Sequence, residues 1–179
     1  MKVFIVTLAV VILYTFTIVF NQDYRQAQRA TIGVKYVCEE LSATGSLFYD
    51  VEQFGDGLTV YNTEQSMVAI RDQITHLISF DSVRNPIPGS YWTDQMNYIV
   101  YFYDDLLERK IYINGDLSSS EDFTYPYSHL DLWTNYNYIV NDPVVIVTIN
   151  AGIPKYRYPF LNEIPDIVRS SSHVLDDRQ

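Results

Sequence analysis

The sequence predicts an α+β fold, in which a long N-terminal helix and a second helix are followed by a small antiparallel β-sheet. Three observations support this prediction. The chain begins with a long proline-free stretch that has helical periodicity, and a second stretch with the same periodicity follows after residue 62. Most of the β-prone runs come after residue 97. Helices that precede strands, rather than alternate with them, are typical of α+β proteins.

Residues 3–20 form an uninterrupted apolar segment without a charge, VFIVTLAVVILYTFTIVF. As an α-helix this segment spans about 27 Å, close to the hydrocarbon thickness of a bilayer. A cleaved signal peptide is the alternative, but it has a shorter apolar region followed by small residues at the cleavage site. Here the run ends in the bulky residues 18–20, followed by Asn21 and Gln22. We therefore predict an uncleaved single-pass anchor whose partner is the lipid bilayer.

The helical pattern continues beyond the anchor as an amphipathic stem. Apolar residues recur there at intervals of three and four, which places them on one face of a helix. With Phe20 one step of seven residues upstream, the stripe consists of Phe20, Ala27, Ala30, Val34, Val37 and Leu41. We predict one continuous helix over about residues 3–43, with Gly45 as its stop. The stripe is expected to pack within the chain, against neighbouring subunits, or both.

The remaining sequence predicts one further helix. Asn62 or Thr63 can cap it, and Gln65 is placed to complete a capping box. Apolar residues with helical spacing extend this helix to about Ser79, and Gly55 lies in a predicted loop before it.

Several β-prone runs follow a proline-rich break at residues 85–89. They lie at residues 98–103, 110–113, 136–140, 144–149 and 167–175. Residues 118–127 are predicted to form a polar loop. The serines at 170–172 indicate an exposed edge strand. We divide the chain into an anchor at residues 1–21, a helical stem at 22–45 and an α+β head at 46–179.

Composition and motifs limit the classes of function. The net charge of −10 disfavours nucleic-acid binding and a basic face that lies on anionic lipid. The single cysteine, Cys38, excludes an intramolecular disulfide and a multi-cysteine zinc site. It is expected to be a small buried side chain, a reactive thiol or one half of an intermolecular disulfide. The three histidines lack metal-ligand spacing, and neither a serine-hydrolase motif nor a phosphate-binding loop occurs. We predict no enzyme activity, no catalytic residue, no cofactor, no metal and no small-molecule substrate.

The unusual feature of the composition is tyrosine, with 16 residues. Tyrosine suits half-buried strands as well as contact surfaces, because its ring packs while its hydroxyl reaches water. Core and edge packing is one interpretation of these side chains. The other is a surface for subunits or ligands, and its candidates are Tyr98, Tyr101, Tyr103, Tyr136 and Tyr138.

The whole layout resembles that of pilins and pseudopilins, and most of all the TadE-like subunits of tight-adherence pili. The residues that carry the resemblance are the anchor at 3–20, the stem YRQAQRATIGVKYVCEELSATG at 24–45 and the strand pair at 144–149 and 166–174. Such pilins usually have a basic leader before the apolar run and a glutamate at the fifth mature position. This sequence has Ile5 there, so that either a leader has been removed or the chain is not processed.

The resemblance implies a structural subunit of a surface filament, with copies of itself or related pilin subunits as partners. The helix would reside in the bilayer before assembly and pack against other copies afterwards. The alternative is a single-pass accessory subunit of another membrane complex. The positive-inside rule, applied to Arg25, Arg29 and Lys35, would leave the head in the cytoplasm. A long domain behind a signal anchor is commonly translocated, and we favour an extracytoplasmic head.

Overall fold

The computed structural model describes residues 2–134, 137–157 and 165–175. It contains the helices α1 (Lys2–Ser46), α2 (Val51–Gly55) and α3 (Thr63–Leu77). The strands are β1 (Asn97–Tyr103), β2 (Glu108–Ile113), β3 (Asp116–Asp122), β4 (Tyr127–Leu130), β5 (Asn137–Val140), β6 (Val144–Asn150) and β7 (Val168–Val174). The predicted α+β class, with a long N-terminal helix and antiparallel strands, is confirmed.

Five strands form one antiparallel sheet in the order β3-β2-β1-β6-β7. The centre of this sheet is β1, which pairs with β2 on one side and with β6 on the other. The strand β7 lies at one edge, as its serines predict. The short strands β4 and β5 form a separate two-stranded sheet.

The C-terminal half of α1 lies on one face of the five-stranded sheet, beside α3. Val34, Val37 and Leu41 of α1 are buried there together with Val147 and Ile149 of β6. The helix passes through Gly45 rather than stopping at it. A Cβ at this glycine would lie 3.0 Å from Cδ1 of Ile70 and 3.1 Å from Cγ1 of Val145, so the residue allows α1 to approach its neighbours closely.

The opposite face of the sheet is covered by β4, β5 and the segment around Phe123. Ile99 and Tyr101 of β1 and Ile146 of β6 point into this second apolar cluster. Since both faces are covered, β1 and β6 are buried along nearly their whole length. Such strands show a continuous apolar run rather than alternation.

Three elements differ from the sequence-based prediction. The helix α2 and the strand β4 were not predicted, and the first half of the expected polar loop at 118–127 lies in β3. The strand β3 lies at an edge of the sheet, and nearly all of its residues are exposed. Its backbone pairs with β2 through ladder bonds that require no apolar side chains. Because β3 consists mostly of serines and acidic residues rather than β-branched or aromatic residues, its sequence does not predict a strand.

Half of the predicted capping box is present at the start of α3. The Gln65 backbone N–H donates to Asn62 Oδ1 at 3.1 Å. The Asn62 N–H donates to the carbonyl of Phe48 at 2.9 Å. The return bond expected from the Gln65 side chain is therefore replaced by a bond to the loop that leads into α2.

Candidate membrane and assembly site

The N-terminal part of α1 projects from the head with its apolar side chains exposed all round. Val3 is 80 % exposed and Leu13 is 67 % exposed, and none of the apolar window of this helix is buried within the chain. The hydroxyls of Thr7, Thr15 and Thr17 donate to the carbonyls one turn back at 2.9–3.0 Å. Their polar groups are thus satisfied inside the helix, as a lipid environment requires.

The part of the chain that the structure describes contains one helix long and apolar enough to cross a membrane. Its length and exposure are compatible with a membrane anchor. A signal sequence near the N-terminus has the same features.

A buried carboxylate joins α1 to the head just beyond the apolar segment. Asp23 is 2 % exposed. Its Oδ2 accepts the backbone N–H of Arg157 at 2.9 Å, and its Oδ1 lies 3.9 Å from the Arg157 Nε. The Arg157 guanidinium also donates through Nη1 to Oε1 of Gln22 at 2.8 Å. This clamp fixes the head against α1 within one turn of Phe20.

The predicted assembly stripe divides into three parts. Val34, Val37 and Leu41 are 2 %, 8 % and 0 % exposed and pack on the chain's own sheet. They are therefore not free to contact a neighbouring subunit, and their assignment to assembly is corrected to packing within the chain. Ala27 and Ala30 are half-buried. Phe20 is 41 % exposed and belongs to the projecting part.

A groove of about 340 Å³ runs beside the stem. Its walls are the stem residues Arg29, Ala30 and Gly33 and, from the head, Leu77 and Trp92. The small side chains of Ala30 and Gly33 leave this space open, and a Cβ at Gly33 would contact nothing within 4 Å.

The candidate tyrosine surface is largely inside the head. Tyr98, Tyr101 and Tyr103 are 2 %, 2 % and 0 % exposed. The proposal that these three form a contact surface is therefore wrong, because both faces of β1 are covered. Tyr138 is half-buried against the second apolar cluster, and Tyr136 lies outside the described residues.

Two of these tyrosines belong to a buried polar cluster between the sheet and β4. The Tyr103 hydroxyl and Nδ1 of His129 share a hydrogen bond of 2.7 Å, and the Tyr101 ring packs edge-on against the same imidazole. Burial lowers the pKa of His129 to about 4, so the ring is neutral at pH 7. Burial also raises the pKa of the Tyr103 hydroxyl.

The neighbouring Asp131 organises the loop after β4. It is fully buried, and its Oδ1 accepts the N–H groups of Trp133 and Thr134 at 2.9 and 2.7 Å. Its Oδ2 accepts the hydroxyl of Thr148 from β6. These bonds tie the loop to the sheet, which gives the carboxylate a structural role. An open groove of about 540 Å³ lies next to it, over Ile146 and the serines of β7.

The single cysteine is buried between α1 and the sheet. Cys38 is 0 % exposed, and its Sγ donates to the carbonyl of Arg169 in β7 at 3.2 Å. Burial raises the pKa of this thiol to about 12. Of the expectations for Cys38, the structure favours a small buried side chain over a reactive thiol or an intermolecular disulfide.

Among the described residues, no group of three or more His, Cys, Asp or Glu side chains is arranged to hold a metal ion. Comparisons of the chain with models of protein families, with curated proteins and with solved structures found no match.

Proposed function

We propose that this chain is a structural subunit of a surface filament, which assembles through the projecting apolar part of α1. The observation that carries the proposal is the exposure of residues 3–20 on every side of the helix. Apolar surface of this extent is unfavourable in water, at about 25 cal/mol for each Å². It requires lipid before assembly and other helices within a filament.

The described part of the head supports this proposal because both of its apolar clusters are formed within the chain. Both faces of its sheet are covered by elements of the same chain. The large apolar surface that lacks a partner in the described structure is that of the projecting helix. Assembly through this helix would place the helices inside the filament and the heads on its surface. This arrangement is compatible with the extracytoplasmic orientation of the head proposed here.

A regular filament also requires a defined orientation of each head relative to its helix. Here α1 is a single helix of 45 residues, which corresponds to a length of about 67 Å. Its C-terminal half packs on β6, β7 and α3. Asp23 joins the helix to Arg157 just beyond the end of the apolar segment. The head and the projecting helix are thus joined as one unit that can repeat with constant geometry.

The test is electron microscopy of material sheared from the surface of the native cell, with an antibody raised against the head. We expect label at regular intervals along filaments. A variant with Ile12→Lys, which places a charge in the middle of the apolar segment, should remove the label from filaments. The matched control is Val51→Lys, at an apolar position of the head that is also exposed.

Label confined to the membrane fraction, with bare or absent filaments, would contradict the proposal. It would favour the alternative of a single-pass accessory subunit, and the proteins that copurify with the chain would then define its complex.

A further inference from the structure

We infer that the membrane-proximal base of the head binds the phosphate groups of anionic phospholipids. The binding surface, here called the basal collar, consists of Arg25, Arg29, Lys155 and Arg157 with the rings of Tyr91 and Tyr156. This inference rests on the membrane anchorage within the proposed function, but not on filament formation.

The clamp sets the height of the collar above the bilayer. Arg157 contacts Gln22 and Asp23, two and three residues beyond the last apolar residue, Phe20. At a rise of about 1.5 Å per residue, these contacts lie roughly 3–5 Å above the end of the apolar segment. The headgroup layer of a bilayer leaflet is about 5–7 Å thick. The segment that contains Arg157 therefore lies at the level of the lipid phosphates.

The cations of the collar approach this level from two parts of the chain. Along α1, Arg25 lies about 7 Å and Arg29 about 13 Å beyond Phe20, and helical side chains point back towards the N-terminus. Arg25 and Arg29 follow Gln22 by three and seven residues, which places them on the same side of α1. Lys155 and Arg157 come from the connection after β6, and both are exposed. Arginine and lysine side chains near a helix end extend their charged groups towards the interface. Four cations thus gather at one end of a chain whose net charge is −10.

Among the described residues, two carboxylates near the collar, Asp23 and Asp94, are engaged within the chain. Asp23 is buried by its bonds to Arg157. Asp94 accepts the Thr93 hydroxyl at 2.7 Å and the N–H of Ile153 at 3.3 Å. The side chain of Arg157 is 62 % accessible, although its guanidinium contacts Gln22 and Asp23. Lys155 is an exposed residue whose ammonium donates to the Ser90 carbonyl at 3.2 Å.

Two half-buried tyrosines, Tyr91 and Tyr156, lie in the collar. The Tyr91 carbonyl accepts the backbone N–H of Lys155 at 2.7 Å, and Tyr156 lies between Lys155 and Arg157 in the chain. The Tyr91 hydroxyl is buried, so that the Tyr156 side chain is the interfacial candidate. Tyrosine is enriched where proteins meet the headgroup layer. Cations and interfacial rings at this height fit an anionic lipid surface better than a protein partner, which would have to enter the headgroup layer.

The test uses the full chain reconstituted into vesicles of phosphatidylcholine, alone or mixed with phosphatidylglycerol. A fluorophore on Pro88→Cys reports on the base, since Pro88 belongs to the turn whose Ser90 carbonyl accepts from Lys155. A fluorophore on Val51→Cys reports on the far end of the head. Buried Cys38 is not expected to react. Quenching by lipids with a nitroxide headgroup measures the contact of each probe with the bilayer.

We expect quenching of the base probe, an increase with phosphatidylglycerol content, and a decrease with added salt. The increase should be lost in the combined variant Arg25→Gln, Arg29→Gln, Lys155→Gln. Each cation in the headgroup layer contributes a preference for anionic lipid of roughly fivefold. The combined variant leaves Arg157 and the clamp intact. The control Lys35→Gln removes an exposed cation of α1 about 22 Å above Phe20 and should change nothing.

A base probe quenched no more than the Val51 probe, in protein that floats with the vesicles, would overturn the collar and leave the anchor standing. An increase with phosphatidylglycerol that survives in the combined variant would also overturn it. Failure of the chain to float with vesicles would instead overturn the anchorage on which both proposals rest.

Discussion

At the scale of single residues, two buried carboxylates have specific hydrogen-bond partners. Asp131 fixes a loop, and Asp23 fixes the head to α1. His129 differs, because its Nδ1 is bonded to Tyr103 whereas its buried Nε2 has no hydrogen-bond partner in the described structure. A second proton on the imidazole would place a positive charge in the interior, which is unfavourable.

The first prediction therefore concerns the acid stability of the head. Because burial lowers the pKa of His129 from 6.5 to about 4, the unfolded chain binds more protons than the folded chain between these pH values. The free energy of unfolding should thus fall as the pH falls from about 6.5 towards 4, by roughly 2–3 kcal/mol from this group. The measurement is chemical unfolding of the full chain in detergent at several pH values.

The variant His129→Gln isolates this contribution. A glutamine can still bond the Tyr103 hydroxyl but does not titrate, so the pH dependence should become shallower over the same range. The control is His76→Gln at an exposed position of α3. An unchanged slope in His129→Gln would show that the carboxylates, and not this histidine, determine the acid response.

The second prediction concerns the reactivity of Cys38. Because burial raises the pKa of the thiol to about 12, little thiolate exists at pH 8 and reagents have no access to it. We expect no alkylation by iodoacetamide in the folded protein and complete alkylation after unfolding, as measured by mass spectrometry. A Tyr36→Cys variant, at a position that is 64 % exposed, should gain one rapidly reacting thiol. Alkylation of native Cys38 at a comparable rate would contradict its buried position.

At the scale of elements, α1 has two glycines with opposite surroundings. A Cβ at Gly33 would contact nothing within 4 Å, whereas one at Gly45 would press on Ile70 and Val145. Glycine inside a helix is less favourable than alanine by about 0.5–1 kcal/mol. The consequences of replacing these two residues should therefore have opposite signs.

The third prediction follows from this contrast. Gly33→Ala should raise the free energy of unfolding by about 0.5–1 kcal/mol. Alanine reduces the conformational entropy of the unfolded chain relative to glycine, and its Cβ would meet no neighbouring atom here. Gly45→Val should lower it by about 1–3 kcal/mol, because the added atoms overfill the contact between α1 and the sheet. Chemical unfolding in detergent measures both. Stabilisation by Gly45→Val would show that α1 does not approach the sheet as closely as described.

The success of the sequence-based prediction also depended on the kind of element. The helix α3 and the strand β6 were predicted because periodicity and a β-branched run are local signals. The edge strand β3 was not, since ladder pairing with β2 determines its structure while its side chains remain exposed. The tyrosines of β1 were offered as surface candidates, although their continuous apolar run is also the pattern of a strand covered on both faces.

The candidate site was predictable only in part for a similar reason. The exposed apolar helix follows directly from residues 3–20. The clamp does not, because Asp23 and Arg157 are far apart in the sequence and a single aspartate after an apolar run resembles any interfacial residue. The net charge of −10 likewise does not reveal the cationic end of the head, because the total charge of a chain contains no information about where its charged residues lie.

At the scale of the whole molecule, the two proposed surfaces should respond to salt in opposite ways. The basal collar attracts anionic lipid, and added salt weakens this attraction. Assembly through α1 instead brings together heads that belong to chains of net charge −10, and like charges repel. Salt should therefore favour assembly over residence in an anionic membrane.

The last prediction is that self-association of the full chain in a neutral detergent strengthens as the ionic strength rises. The screening length falls from about 30 Å at 0.01 M salt to about 8 Å at 0.15 M, which removes most of the repulsion between heads and leaves contacts between apolar helices unchanged. Energy transfer between chains labelled at Val51→Cys measures the association. The variant Ile12→Lys should remain monomeric at every salt concentration, because its charge interrupts the helix surface. Association that weakens with salt would mean that ion pairs between heads hold the copies together, which contradicts assembly driven by α1.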